Sequence, residues 1–157
     1  MKTATENNYN WQGTAIRQGI IAGGTCVALF AGIYFLQREW VLSRGLWLGS
    51  GVIYLLAMWE AQKPVKGENI QAFIQPGFLV FVVANAIFYL YYHLLFAVFD
   101  PGLVDLQAQL LVAADKDPAS ASIPTIGGSF FSYVQSLIFG FVIAAITGAV
   151  LRQRQRK

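Results

Sequence analysis

Residues 69–99 read NIQAFIQPGFLVFVVANAIFYLYYHLLFAVF, and residues 118–151 read PASASIPTIGGSFFSYVQSLIFGFVIAAITGAVL. Neither stretch holds an Asp, Glu, Lys or Arg, over 31 and 34 consecutive residues. A helix rises about 1.5 Å per residue, so about 20 residues cross a hydrocarbon core of about 30 Å. A helix of a soluble bundle would show a polar face at 3.6-residue spacing. Residues 77–99 and 130–151 have almost none. Both stretches therefore read as membrane spans.

The same test extends outward. Arg17 and Arg38 enclose 20 uncharged residues, enough for a third span. Arg44 and Glu60 enclose only 15. That segment spans when both long side chains carry their charges to the interfaces. Trp40 and Trp59 flank it, as interfacial aromatics do. The composition agrees: 56% hydrophobic and 15% aromatic against 12% charged, with a mean hydropathy of +0.52 over 157 residues. Soluble domains are about 45–50% apolar and about 25% charged, and disorder needs high charge with few aromatics. The expectation is an all-α membrane protein: one domain over residues 1–157, with four transmembrane helices near 14–36, 43–60, 75–99 and 130–151. The first apolar run is too long for a signal-peptide core and no small-residue cleavage pattern follows Phe35, so this helix is expected to be retained.

Four spans put both termini on one side. That side holds Lys2, Arg17, Lys63, Lys66, Arg152, Arg154, Arg156 and Lys157, and the other only Arg38, Arg44 and Lys116. The positive-inside rule places both termini in the cytoplasm of a bacterial inner membrane. The basic tail after Leu151 then serves topology rather than nucleic acid. Residues 37–42 form a short outer turn, and residues 61–72 a cytoplasmic loop broken by Pro64 and Gly67. In the outer loop, residues 100–128, Asp100-Pro101 reads as an N-cap with proline at the first helical position. Leu103, Leu106 and Leu110 follow at helical spacing, predicting a short amphipathic helix between the third and fourth spans, ending near Ala114 and lying on the membrane surface or the bundle. Gly127-Gly128 reads as a turn, and Gln75-Pro76-Gly77 as the start or a bend of the third helix.

Small residues recur every four positions in the last helix: Gly128, Ser132, Ser136, Gly140, Ala144 and Gly148. Such a stripe lets another helix approach closely. The first helix offers Gly19 with Gly23, and Gly24 with Ala28 and Gly32. The second offers Gly45 with Gly49. Both packing within the bundle and packing between protomers satisfy these stripes. The third helix carries a polar line, Asn85, Tyr89 and His93, four residues apart and costly in hydrocarbon without partners. His93 lies level with Gln135 and Ser136 of the antiparallel fourth helix, so a cluster of His93 with Tyr89, Gln135 and Ser136 is expected. It reads either as a polar pin between helices or as a proton or ligand site.

One His and one Cys cannot supply the three or four ligands of a metal site, no cofactor is implied, and Cys26 has no partner for an intramolecular disulfide. No span holds a central Asp or Glu, which speaks against ion-coupled transport. No catalytic set is present, which points away from an enzyme.

The segments Arg17-Gln-Gly-Ile-Ile-Ala-Gly-Gly24, Ile70-Gln-Ala-Phe-Ile-Gln-Pro-Gly-Phe78, Phe99-Asp-Pro-Gly102 and the Gly140–Leu151 run before a basic tail carry a resemblance. Over nearly the whole chain, the sequence resembles a bacterial family of small four-helix membrane proteins catalogued as domain of unknown function 4199. The resemblance implies four spans and no established activity, so no functional residues transfer. The expected role is a small non-enzymatic membrane protein, an accessory or interaction subunit acting through its small-residue faces. Its partners are the lipid bilayer and either further copies of itself or a larger membrane complex. The competing reading is a small transporter or oligomeric channel whose cavity is lined by Asn85, Tyr89 and His93.

Overall fold

The computed structural model describes residues 10–66, 69–121 and 123–155. The expectations placed on Lys2, Gly67, Arg156 and Lys157 fall outside these residues. Every regular element among the described residues is helical. Helix α1 covers Trp11–Leu36 and leads through a 3-10 turn, Arg38–Leu42, into α2, Arg44–Gln62. Helix α3, Ile70–Leu94, closes with a π turn over Leu95–Phe99. Helix α4 covers Leu103–Ala113 and α5 covers Ile126–Gln155. Three of these, Trp11–Leu36, Ile70–Phe99 and Ile126–Gln155, are long and apolar enough to cross a membrane.

Several helix starts differ from expectation, each for a local reason. Helix α3 begins at Ile70, where the Asn69 side chain caps the Gln71 amide at 3.0 Å, and Pro76 lies inside it. A proline costs least in a first turn, which made it the natural boundary in the sequence, but buried Phe73 and Val80 carry the helix through it. Helix α5 starts four residues before its expected position, and Thr125 Oγ1 accepts the Gly128 amide at 3.0 Å. Gly127 and Gly128 are thus first-turn helical residues and not a loop turn. Helix α4 starts after Gly102, without a side-chain cap. The Asp100 carboxylate takes the Gly102 amide, as the N-cap reading expects, but its strongest partners lie outside the helix. Arg38 donates to it twice at 2.6 Å and the Tyr34 hydroxyl once at 2.9 Å.

This contact ties the α1–α2 turn to the α3–α4 turn. Burial pushes the Asp100 carboxyl up. The hydrogen bonds from Arg38 and Tyr34, the charge of Arg38 and the Gly102 amide outweigh it and hold the carboxyl below its ordinary value. A carboxyl lowered by folding stabilises the fold above its unfolded pKa, about 3.9, and loses that contribution as pH falls through its folded value. Thermal unfolding in detergent should therefore show a stability loss below about pH 4. Asp100→Asn should remove that component and lower the midpoint near pH 7 by roughly 2 °C, a small effect because the pair is partly solvated. An unchanged low-pH profile in the variant would refute this role.

Helix α3 is the hub, packed by α1, α2 and α5. Helix α1 runs parallel to it: Gly19 sits against Val80 and Val83, and Gly23 against Ala84 and Ile87. Helix α5 runs antiparallel, with Gly148 against Phe73, Gly140 against Phe81 and Ser136 against Asn85. Helix α2 is also antiparallel. Its Trp47 ring meets Phe30 of α1 at 5.5 Å, and Phe88 and Tyr92 of α3 at 5.1 and 5.3 Å, all edge to face. At the other end Gln62, fully buried, donates to the Ala144 carbonyl at 2.9 Å. The guanidinium of Arg154 lies 5.3 Å from the Trp59 ring, and Gln155 donates to the Val65 carbonyl. Outward-facing apolar side chains clothe the bundle, among them Phe35, Leu48, Leu56, Ile138 and Phe139.

Candidate functional site

The polar line of α3 is divided by the rotation of the helix. Asn85 is buried and donates to Ser136 Oγ, whose hydroxyl in turn donates to the Tyr133 carbonyl. Tyr133 donates to the Val82 carbonyl at 3.3 Å. About two turns toward the α4 end, His93 Nδ1 lies 3.1 Å from Ser129 Oγ. Tyr89 stands between the two pairs and meets the Tyr133 ring edge to face at 6.1 Å.

The expected cluster is therefore corrected in two members. His93 meets Ser129 rather than Gln135 or Ser136, because α5 begins at Ile126 and supplies an extra turn level with His93. Gln135 is exposed on the outer side of α5. Ser136 does face α3, where its side-chain partners are Asn85 and Tyr89 rather than His93. Nor do Asn85, Tyr89 and His93 line one cavity. Tyr89 and His93 open on a cleft of about 260 Å³ between α3 and α5, walled by Leu90, Ile126, Phe130 and Tyr133, while Asn85 is turned inward.

The small-residue stripe of α5 is likewise divided. Gly140, Ala144 and Gly148 are buried against α3 and α2, whereas Gly128 and Ser132 are exposed. A side chain at Gly140 would collide with the Phe81 ring. On α1, Gly19 and Gly23 are consumed by α3. Gly24 and Gly32 have nothing within 4 Å of the place where a side chain would begin, and Ala28 between them is exposed. Gly49 of α2 is equally open.

Chemically, the α3–α5 cleft presents one imidazole bonded to one hydroxyl among aromatic and aliphatic walls. No group of three His, Cys, Asp or Glu side chains comes together among the described residues. Cys26 is buried in the α1 core face. Ser129, Tyr133 and Gln62 were the polar members that the sequence did not single out. Gln62 fell in the expected loop 61–72, and the approach of Gly77 and Ala144 encloses it at the end of α2. Arg38 and Asp100 could not be paired from sequence either, being 62 residues apart.

Two further cavities lie under α4. One of about 450 Å³ shares Tyr89 and Ser129 with the cleft, and the other, about 530 Å³, reaches Arg44 and Lys116. Tyr92 and Gln107 border both.

A family model described as a protein of unknown function (DUF4199) matches residues 17–153. No curated protein and no solved structure matches the chain.

Proposed function

From the premise that this chain belongs to the protein family of unknown function DUF4199, we propose that it is a non-enzymatic subunit that binds another transmembrane helix through the free face of α1. In this reading the protein crosses a bacterial cytoplasmic membrane four times, with Trp11 and Gln155 toward the cytoplasm. Helix α2 is the fourth span. Its 19 residues measure about 28 Å. Its outer face carries Leu48, Val52, Leu55 and Leu56, all exposed, with charge only near its ends. The free cations toward the Trp11 and Gln155 end, Arg17, Lys66 and Arg152 among them, support the orientation.

The observation that carries the binding role is the split of α1's glycines. A glycine in a helix costs about 1 kcal/mol relative to alanine. Gly19 and Gly23 recover that cost through close contact with α3. Gly24 and Gly32, with Ala28 between them, recover nothing inside the bundle, yet form the small-xxx-small pattern that lets helix backbones meet in lipid. A second helix seated there supplies the missing contacts.

The test compares wild type with Gly24→Ile/Gly32→Ile, extracted from membranes in a gentle detergent or polymer disc. The wild type should elute as a dimer or larger complex. The variant should elute as a monomer with unchanged helicity, because both added side chains enter open space within the bundle. A wild type that stays monomeric at every protein-to-lipid ratio would sink the proposal, as would a variant that keeps its partner.

A further inference from the structure

We infer that the cavity between α2 and α4, at the end of the bundle away from Trp11 and Gln155, binds an amphipathic phosphate: a phosphate ester joined to an apolar portion. This inference is independent of the α1 face, which lies elsewhere on the bundle.

The charge placement carries it. Of the cations among the described residues, only Arg38, Arg44 and Lys116 lie at this end of the molecule. Arg38 is spent on Asp100. The remaining two, Arg44 at the start of α2 and Lys116 after α4, line the same cavity of about 530 Å³. Neither forms an ion pair among the described residues. The nearby acids do not take them. Asp100 is held by Arg38 and Tyr34, Asp117 caps the Ala119 amide, and Glu39, Asp105 and Asp115 are not among the cavity walls. A face opposite the cation-rich end has little use for unpaired cations as topology signals.

The local helix geometry adds to this charge. The Ser43 side chain makes no capping bond to the first turn of α2, so the positive end of a 19-residue helix opens beside Arg44. An arginine fork, a lysine and a helix N-terminus together suit the several oxygens of a phosphate. The rest of the lining includes apolar groups, Leu42, Trp47, Leu110, Leu111 and the Tyr92 ring. The volume falls in the range of small-molecule sites, about 300–1,000 Å³, and exceeds the needs of a bare phosphate. Gln107, at the seam with the neighbouring cavity, offers an amide to the ester or glycerol oxygens.

Two sources supply such a ligand, the headgroup region of an anionic phospholipid and a water-soluble phosphate ester. The full chain is placed in nanodiscs of phosphatidylcholine, with or without a minority of phosphatidylglycerol. Native mass spectrometry counts retained phosphatidylglycerol, and calorimetric titration of the phosphatidylcholine discs with phenyl phosphate, a water-soluble ester with an apolar portion, reads the soluble source. Arg44→Gln/Lys116→Gln should weaken whichever binding is seen by about tenfold or more, since hydrogen bonds to charged groups are lost. Ala114→Trp, which fills the cavity without changing charge, should weaken it too. Arg152→Gln/Arg154→Gln, at the other end, should not. Helicity and elution of each variant confirm the fold. Retained lipid with this pattern assigns the lipid source, and heat from phenyl phosphate alone assigns the soluble one. Absence of both, or binding that survives both cavity variants, or an equal loss in the Arg152/Arg154 pair, overturns the inference.

Discussion

Gly140→Leu should abolish the folded bundle, or cost about 3 kcal/mol or more where a folded fraction survives. Gly140 faces the Phe81 ring so closely that even a Cβ overlaps it. Phe81 cannot retreat freely, because its other side meets the Tyr54 ring at 5.5 Å. The two helices must therefore separate, and separation also strains the Asn85–Ser136 and Gln62–Ala144 hydrogen bonds on either side. Inserting methylenes into a well-packed core typically costs about 1–3 kcal/mol, and here the backbones themselves must move. Reversible unfolding in mixed micelles measures the loss. The informative control is Gly49→Leu, the same change on a glycine with open space beside it, which should leave the unfolding midpoint within about 1 °C of wild type. Equal destabilisation by the two changes would refute the division of the glycines into filled and free faces.

Phe30→Ala should cost about 2–4 kcal/mol, measured the same way, and should leave a cavity where α1, α2 and α3 meet. Phe30 is fully buried, with ring centres 5.5 Å from Trp47 and 4.8 Å from Phe88. Edge-to-face pairs of this kind contribute about 0.5–1.5 kcal/mol each beyond burial. In water the truncation would cost about 3–5 kcal/mol, part of it the transfer of the ring to solvent. In a membrane the unfolded helices remain in hydrocarbon, so the transfer part shrinks and the lost contacts dominate. Phe30→Leu fills most of the space and should recover more than half of the loss. An alanine variant as stable as wild type would mean that the aromatic node does not hold the three helices together.

These two sites show how far the sequence could be read. The charge gaps around residues 69–99 and 118–151 announced membrane helices because each stretch reports its own solvent, residue by residue. The four-residue spacing of Gly140, Ala144 and Gly148 announced a close helix contact for the same local reason. Phe81 could not be named as the residue that fills it. His93 was placed level with Gln135 and Ser136, yet it meets Ser129, about two turns nearer the start of α5, because the register of the two helices is set by packing that the sequence does not show. The Arg38–Asp100 pair was read as two separate signals, a topology charge and a helix cap. Each reading was locally reasonable, and one carboxylate serves both, taking the Gly102 amide beside it and the Arg38 guanidinium across the turn.

The sequence by itself determined where the chain must be helical and apolar and which end of the molecule is cation-rich. Those properties are sums over neighbouring residues. The tertiary structure decided which small faces are filled, which polar groups meet, and that the two unpaired cations of the far end share a cavity. These depend on how each helix is rotated and shifted along its axis. Almost uniformly apolar helices carry no polar face to mark that rotation, so it is set by the fit of side chains far apart in sequence, Phe81 into Gly140 and Phe30 between Trp47 and Phe88.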